Sequence, residues 1–268
     1  MQYLNRAAAG FSDELWSQID EAALDAARQL LTARRFLEVE GPFGVGLTSL
    51  ELGEESVIET SDDDMAGTVG SRSLSVPMLQ QMFQLSIRRL QGHLQLGLPL
   101  DLRPAEDAAE AVARREEDVI YHGIPELGLS GLMTVEGRGQ VSLGDWSEVE
   151  QALHDVLAGV ERLDEGGFGG PYVLALSPSR YNALFRRYQG SNMLQLDHLR
   201  RLCAGGVLKA PVQGGVLLDP RVGTIKIGQD MHVGFSATDG IYVRLFVSES
   251  LVLLLDEPEA ICTFDETG

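Results

Sequence analysis

The residues able to carry chemistry are few and scattered. The five histidines (His93, His122, His154, His198 and His232) show no pair at the helical spacing that puts two imidazoles on one zinc ion. Cys203 and Cys262 lie far apart and match no metal or redox spacing, so both are expected as small buried hydrophobes. Asp62, Asp63 and Asp64 form an acidic run that reads as a solvated loop tip. The glycine cluster GGFGGP at 166–171 follows a predicted helix and precedes a predicted strand. A phosphate cradle needs the opposite order, with the anion at a helix N-terminus, so a tight turn is expected. GLSGL at 128–132 lacks the second glycine in the place a nucleophile elbow requires. No nucleophile–base constellation emerges, and neither catalysis, a bound metal nor another cofactor is expected.

One stretch points to binding instead. ARRFLEVEGP at 33–42 sets two arginines side by side where an alanine-rich helix hands over to an alternating acid and apolar segment. Arg34 and Arg35 would at least complement the negative end of the helix dipole.

The elements around these residues follow from apolar periodicity. Residues 13–35 read as one long helix, with Ser12 as N-cap, Asp13 and Glu14 in the first turn, and a stripe of Leu15, Ile19, Ala22, Ala23, Ala26, Leu30 and Ala33. Gly41-Pro42 stops it. Residues 43–76 carry no helical stripe and read as an extended excursion with the character of a two-stranded arm. Residues 78–94 regain apolar periodicity. Pro104 opens a second alanine-rich helix that ends near Asp118, with VIYHG as a short strand. A third helix is expected from Ser147, with Glu150 completing a capping box. Tyr172–Leu176 reads as a buried strand, Ser177-Pro178 opens a fourth helix through Arg187, and Leu196–Ala204 forms a fifth. From Gly214 onward the chain is strand-rich; Ile241, Val243, Leu245 and Val247 alternate with Tyr242, Arg244, Phe246 and Ser248. Helices and strands interleave without a βαβ rhythm, so the class is α+β.

Composition narrows the partners. The 268 residues carry 40 acidic and 21 basic side chains, a net charge of −19. Nucleic-acid affinity depends on neutralising phosphates, so this balance argues against a nucleic-acid partner. Lys209 and Lys226 are the only lysines; arginine supplies the rest, which suits fixed, forked ion pairs. There is no apolar run of membrane-spanning length and no signal-peptide layout, so no membrane partner and a cytoplasmic location are expected.

Several stretches, in order, resemble the encapsulin shell proteins, the linocin-like bacterial nanocompartment family. They are LNRAAAGFSDELWSQIDEAA, ARRFLEVEGPFG, EEDVIYHGIPELGLSGLM, GGPYVLALSPSRYNALFRRYQGS, RLCAGGVLKAPVQGGVLL and GQDMHVGFSATDGIYVRLFVSESLVLLL, which together span nearly the whole chain. The resemblance implies a tailed-phage major capsid protein fold assembled into an icosahedral shell. It implies a peripheral domain of residues 1–42, 77–142 and 223–268, an elongated loop of 43–76 that overlaps a neighbouring subunit, and an axial domain of 143–222. It also implies that the chain's partners are further copies of itself and a cargo protein. The cargo would be a dye-decolourising peroxidase or a ferritin-like protein, captured by its C-terminal targeting peptide. Leu31, Arg34, Phe36 and Glu38 would bind that peptide, and Gly190, Ser191, Asn192, Met193 and Leu194 would line a pore. Some relatives bind flavin through a tryptophan where this chain has Arg88, so no flavin is expected. Residues 43–76 contain no lysine, which excludes covalent chain-mail of the phage kind. A prophage capsid that packages DNA shares the fold, but the acidity does not suit a DNA container.

Overall fold

A computed structural model describes residues 3–58, 68–188 and 192–266. In chain order the helices are α1 (Asp13–Leu30), α2 (Ile87–Leu96), α3 (Arg103–His122), α4 (Gln151–Glu165), α5 (Pro178–Ala183) and α6 (Gln195–Leu202). The strands are β1 (Glu38–Glu40), β2 (Ser49–Ile58), β3 (Thr68–Ser75), β4 (Met78–Ser86), β5 (Gly123–Ile124), β6 (Leu129–Ser130), β7 (Gly139–Leu143), β8 (Val173–Leu176), β9 (Gly206–Lys209), β10 (Gly215–Leu218), β11 (Gly223–Asp239), β12 (Tyr242–Leu255) and β13 (Ile261–Glu266).

Two mixed sheets carry the chain. The first runs β1-β11-β12-β4, with β1 parallel to β11 and the other pairs antiparallel. The second runs β7-β13-β10-β8-β9, with parallel pairs at each end. The expected division assigned residues 223–268 to one unit. In the structure β13 crosses to the second sheet and pairs with β7 and β10, so the last strand stitches the two sheets together. β2 and β3 pair antiparallel into a two-stranded arm, as their extended, stripe-free sequence predicts.

The start of α1 is held as its sequence predicts: Ser12 Oγ accepts a hydrogen bond from the Leu15 N–H at 3.3 Å. Its stripe of Leu15, Trp16, Ile19, Ala23 and Ala27 is buried. α1 lies against α3, which buries Ala105, Ala108, Ala109, Val112 and Ala113; small residues on both stripes let the helices approach closely. The segment before α1 is anchored by Arg6, which forks onto Asp20 at 2.8 and 2.6 Å, donates to the Val233 carbonyl at 2.8 Å and lies over the Trp16 ring. Across β11 and β12, Gly234 stands opposite Phe246, whose ring occupies the space a Cβ at Gly234 would need. Glycine there is a packing requirement of that cross-strand pair.

Four boundaries differ from the sequence reading, each for a local reason. The first helix stops at Leu30, because the N–H groups of Thr32 and Ala33 are taken by the Glu117 carboxylate rather than by helical carbonyls. VIYH is not a strand: α3 continues through it to His122, burying Val119, Ile120 and Tyr121, and stops at Gly123 with a positive φ of 79°. Burial against the sheet outweighs the strand propensity of those residues. The third helix begins at Gln151 without the predicted capping box. Ser147 is held instead by Asp145, and Asp155 accepts from the Gly144 N–H, the Trp146 indole and Gln151. The fourth helix ends at Ala183 rather than Arg187, because the chain doubles back: Gln195 N–H donates to the Arg186 carbonyl and Tyr188 N–H to that of Met193. The stretch 78–94 divides into a strand, β4, and a helix, α2. Of the alternation expected from Ile241 onward, Ile241 at the hairpin turn is exposed, Val243 is buried between exposed Tyr242 and Arg244, and deeper in the sheet both faces are covered, so Phe246 and Ser248 are buried too.

Candidate functional site

Four segments converge on Arg34. It sits in a single 3-10 turn, Ala33–Arg35, between the end of α1 and β1. Its Nε donates to Glu116 Oε1 at 2.5 Å and its Nη2 to Glu116 Oε2 at 2.9 Å, a two-pronged pairing with the middle of α3. Nη2 also reaches Glu249 Oε2 on β12 at 2.9 Å, and Nη1 reaches Asp230 Oδ1 on β11 at 2.9 Å. The planar five-donor fork of arginine suits this geometry, and an ammonium would not span it. The Glu116 and Glu249 side chains are fully buried, whereas Asp230 is half exposed.

The next residue on α3 completes the clasp. Glu117 Oε1 accepts from the Thr32 N–H at 2.8 Å and the Ala33 N–H at 3.0 Å, while its other oxygen takes the Thr32 hydroxyl. The Tyr121 hydroxyl lies 3.1 Å from that same Thr32 hydroxyl. Glu116 and Glu117 thus hold the 32–34 linker through a cation and through backbone donors respectively.

One guanidinium faces three carboxylates here, so the cation only partly offsets the cost of burying their charge. Burial pushes Glu249 well above the ordinary carboxylate range, reinforced by the nearby Glu116 charge and opposed by Arg34. Its Oε1 is buried and has no hydrogen-bond partner among the described residues. Burial also raises Glu117, against the hydrogen bonds from Thr32 and Ala33. Asp230 is lowered: the hydrogen bond and charge of Arg34 outweigh its partial burial. The Tyr121 hydroxyl is raised by burial and by the Glu117 charge. Each carboxylate of the cluster is held by Arg34 or by the Thr32–Ala33 linker, so its chemistry is that of a fixed ionic clamp.

The other residues proposed from sequence fall around it. Leu31 is 9% exposed and packs into the core. Phe36 is half-buried against the core, and Glu38 is exposed at the start of β1, opposite Thr224 of β11. Arg34 thus reaches Asp230 on β11 and Glu249 on β12, Glu38 begins the β1 edge of the same sheet, and Leu31 belongs to the core. Gly190 and Ser191 lie outside the described residues, as do Asp62, Asp63 and Asp64. Asn192 is exposed and Met193 and Leu194 are half-buried, in the returning arm of the loop, where Arg187 and Leu194 form a bridge. Arg88 is exposed on α2. Cys203 and Cys262 are buried free thiols, raised by burial to about 12 and about 11. No group of histidines, cysteines and carboxylates able to hold a metal occurs among the described residues. Glu116, Glu117, Asp230 and Glu249 escaped sequence reasoning, since in a chain with 40 acids none stands out. The one available signal was four carboxylates placed on otherwise apolar stripes or strands.

Residues 1–252 match the family described as "Encapsulating protein for peroxidase". The chain belongs to the encapsulin family. The type 1 encapsulin shell protein of Myxococcus xanthus is 28% identical over 99% of this chain and 97% of its own. A diheme-cytochrome-encapsulin shell fusion protein of Kuenenia stuttgartiensis is 30% identical over 94% of this chain and 73% of its own. Among solved structures, a virus-like particle from Pyrococcus furiosus shares the fold with a TM-score of 0.74 and 22% identity, covering 94% of this chain and 100% of its own. The capsid of the Myoviridae phage XM1 follows at 0.64 and 18%, over 89% of this chain and 92% of its own. The fold is therefore that of tailed-phage capsid proteins, as expected, and the relatives are shell components rather than enzymes.

Removing the cation should be costly. Arg34→Ala leaves Glu116 and Glu249 buried without a partner, and destabilisation of ~3–5 kcal/mol is expected in denaturant titrations, with Arg34→Lys recovering only part of it. The clamp also has a pH signature. Glu249 and Glu117, both raised, bind protons more tightly in the folded state than in the unfolded chain. Folding stability therefore declines as pH rises from that range through the raised folded values. Glu249→Gln should flatten this decline and raise Tm at pH 8 by a few degrees while changing little at pH 5. Calorimetry at constant ionic strength reads both, and an unchanged slope in the variant would show that Glu249 does not hold the proton.

Proposed function

We propose that many copies of this chain close into an icosahedral shell around a protein cargo. The observation that carries this reading is the family match across residues 1–252, joined to a fold shared with a virus-like particle over 94% of the chain. In this assembly the first sheet with α1 and α3 acts as the peripheral domain. The second sheet with α4, α5 and α6 acts as the axial domain, and the β2–β3 arm is the elongated loop laid over a neighbour. An arm that, among the described residues, pairs within itself, and exposed Phe43, Val45, Met82, Leu94, Leu96 and Leu98, are features a monomer would be expected to cover.

The cargo is taken up through an extended C-terminal peptide on the corner bordered by Arg34, Phe36 and Glu38. Side-chain pockets give specificity there, and many weak sites on one shell gain avidity toward an oligomeric cargo. Leu31 serves as the floor of that corner rather than as an open pocket. Arg34 offers a peptide only the exposed fringe of a guanidinium already held by three carboxylates, so Glu38 and Phe36 carry more of the recognition. A peroxidase cargo fits the family's description, and a dye-decolourising peroxidase or a ferritin-like protein is the class to co-express. The location is cytoplasmic. Among the described residues no helix is long and apolar enough to cross a membrane.

The test is size-exclusion chromatography followed by negative-stain electron microscopy of the purified chain. Uniform hollow particles are expected; a monodisperse monomer would overturn the shell reading. On co-expression with a peptide-tagged cargo, Glu38→Lys should cut the loaded fraction several-fold with particles intact, and unchanged loading would remove Glu38 from the site. A nucleic-acid absorbance signature in nuclease-treated particles would instead favour a DNA-packaging capsid.

The loop 190–194 is proposed to line an opening at a symmetry axis. Replacing it with glycines should change the rate at which a small chromogenic substrate reaches an enclosed enzyme. An unaltered rate in intact particles would argue against that role.

A further inference from the structure

A second site lies on the other side of the α1–β1 linker, where the two sheets meet. The end of α1, the middle of α3, α5 and β9 enclose a cleft of about 720 Å³, within the range of ligand-binding pockets. Leu30, Tyr181 and Leu208 supply apolar wall, and Arg35, Arg114 and Lys209 supply charge. Three cations in one cleft stand out in a chain with 40 acids and 21 bases. Arg35 is exposed and has no ion pair among the described residues. Lys209, also exposed, holds its ammonium 5.2 Å from the centre of the Tyr181 ring rather than on a carboxylate. Among the described residues Arg114 is tied to half-buried Glu110, one turn away on α3. The cleft's own carboxylate, Glu117, is occupied by Thr32 and Ala33 and faces the clasp. The local field is therefore positive against an acidic whole.

The backbone adds a second requirement. β9 is the terminal strand of its sheet, bonded to β8 on one side. Ala210 N–H donates to the Leu176 carbonyl, so by two-residue alternation the N–H and C=O of Val207 and Lys209 point out from the sheet edge. An unpaired edge beside an apolar wall and free cations matches the way extended peptides add to sheets, with main-chain bonds for affinity and side chains for specificity.

We propose that this cleft binds an extended, acidic segment of a partner protein, one that pairs along β9, sets its carboxylates against Arg35 and Lys209 and lays apolar side chains on Leu30, Tyr181 and Leu208. The site shares neither Arg34 nor Glu38 with the proposed cargo corner and depends on no part of the shell reading.

The probe is a His-tagged fluorescent reporter ending in alternating acidic and apolar residues, Ala-Glu-Val-Glu-Leu-Glu-Val-Asp, co-expressed with the full chain and recovered on nickel resin. Co-purification at least ~tenfold above a reporter whose acids are replaced by glutamine is expected, with release as salt shortens the screening length. A third reporter keeps the charges but has proline at alternate positions, which removes the ladder donors, and it should fail to bind. Arg35→Glu with Lys209→Glu should abolish recovery, and Arg35→Gln with Lys209→Gln should weaken it if the reversed variant does not fold. Equal recovery of the acidic and glutamine reporters, or recovery indifferent to either variant pair, overturns the proposal. Because recovery is read on the reporter, a loss of hollow particles would count against the shell reading alone.

Discussion

The guanidinium of Arg34 joins four parts of the chain that are otherwise held by separate packing: the turn after α1, the middle of α3, and neighbouring positions on β11 and β12. Two of its partners are wholly buried carboxylates, which are tolerated in a protein interior only when paired and hydrogen-bonded. The direction in which the chain leaves α1 follows from this. Glu117 takes the amides that would have continued the helix, Arg34 is fixed by its neighbour Glu116, and β1 emerges in register to pair with β11. A clamp of this type adds little net stability compared with apolar packing. Its consequence is uniqueness, since any other path from helix to sheet would strand buried charge.

That uniqueness matters for a protein that works as one tile among many. A closed shell requires every copy to present the same surfaces at the same angles. The relation of α1 and α3 to the first sheet is set by the clamp. The relation between the two sheets is set by β13, which enters the second sheet directly after the long strands of the first. The β2–β3 arm, by contrast, makes its ladder within itself among the described residues. The molecule thus combines a body tied by the clamp and by β13 with one arm that, among the described residues, pairs within itself.

The charge distribution follows the same division. Acids dominate the composition, yet the arginines with buried or half-buried partners (Arg6 with Asp20, Arg34 with its three carboxylates) lock local geometry rather than form a basic surface. In the cleft between α3 and β9, by contrast, Arg35 and Lys209 make no ion pair among the described residues. Adjacent arginines at 34 and 35 therefore have opposite fates. One faces inward to complete a clamp and the other faces outward into a cleft.

Much of this was legible in the residues. The N-cap at Ser12, the amphipathic stripes of α1, α3 and α4, the two-stranded arm, the burial of both cysteines and the capsid-type fold are all consequences of local chemistry or of motif order along the chain. Periodicity records which face of an element is buried, and a single strand of sequence contains that information. What it does not contain is the partner. VIYH has strand propensity but is helical because α3 is buried along that turn. Ser147 has the spacing of a cap but is captured by Asp145. The roles of Glu116, Glu117, Asp230 and Glu249 could not be read at all, because a buried carboxylate and a solvated one look alike until the fold brings a cation or backbone donors to it from 82 to 215 residues away. The sequence alone determined the elements and the family; only the tertiary structure decided which charges meet, since pairing energy depends on distance and burial, and neither is a property of the chain in isolation.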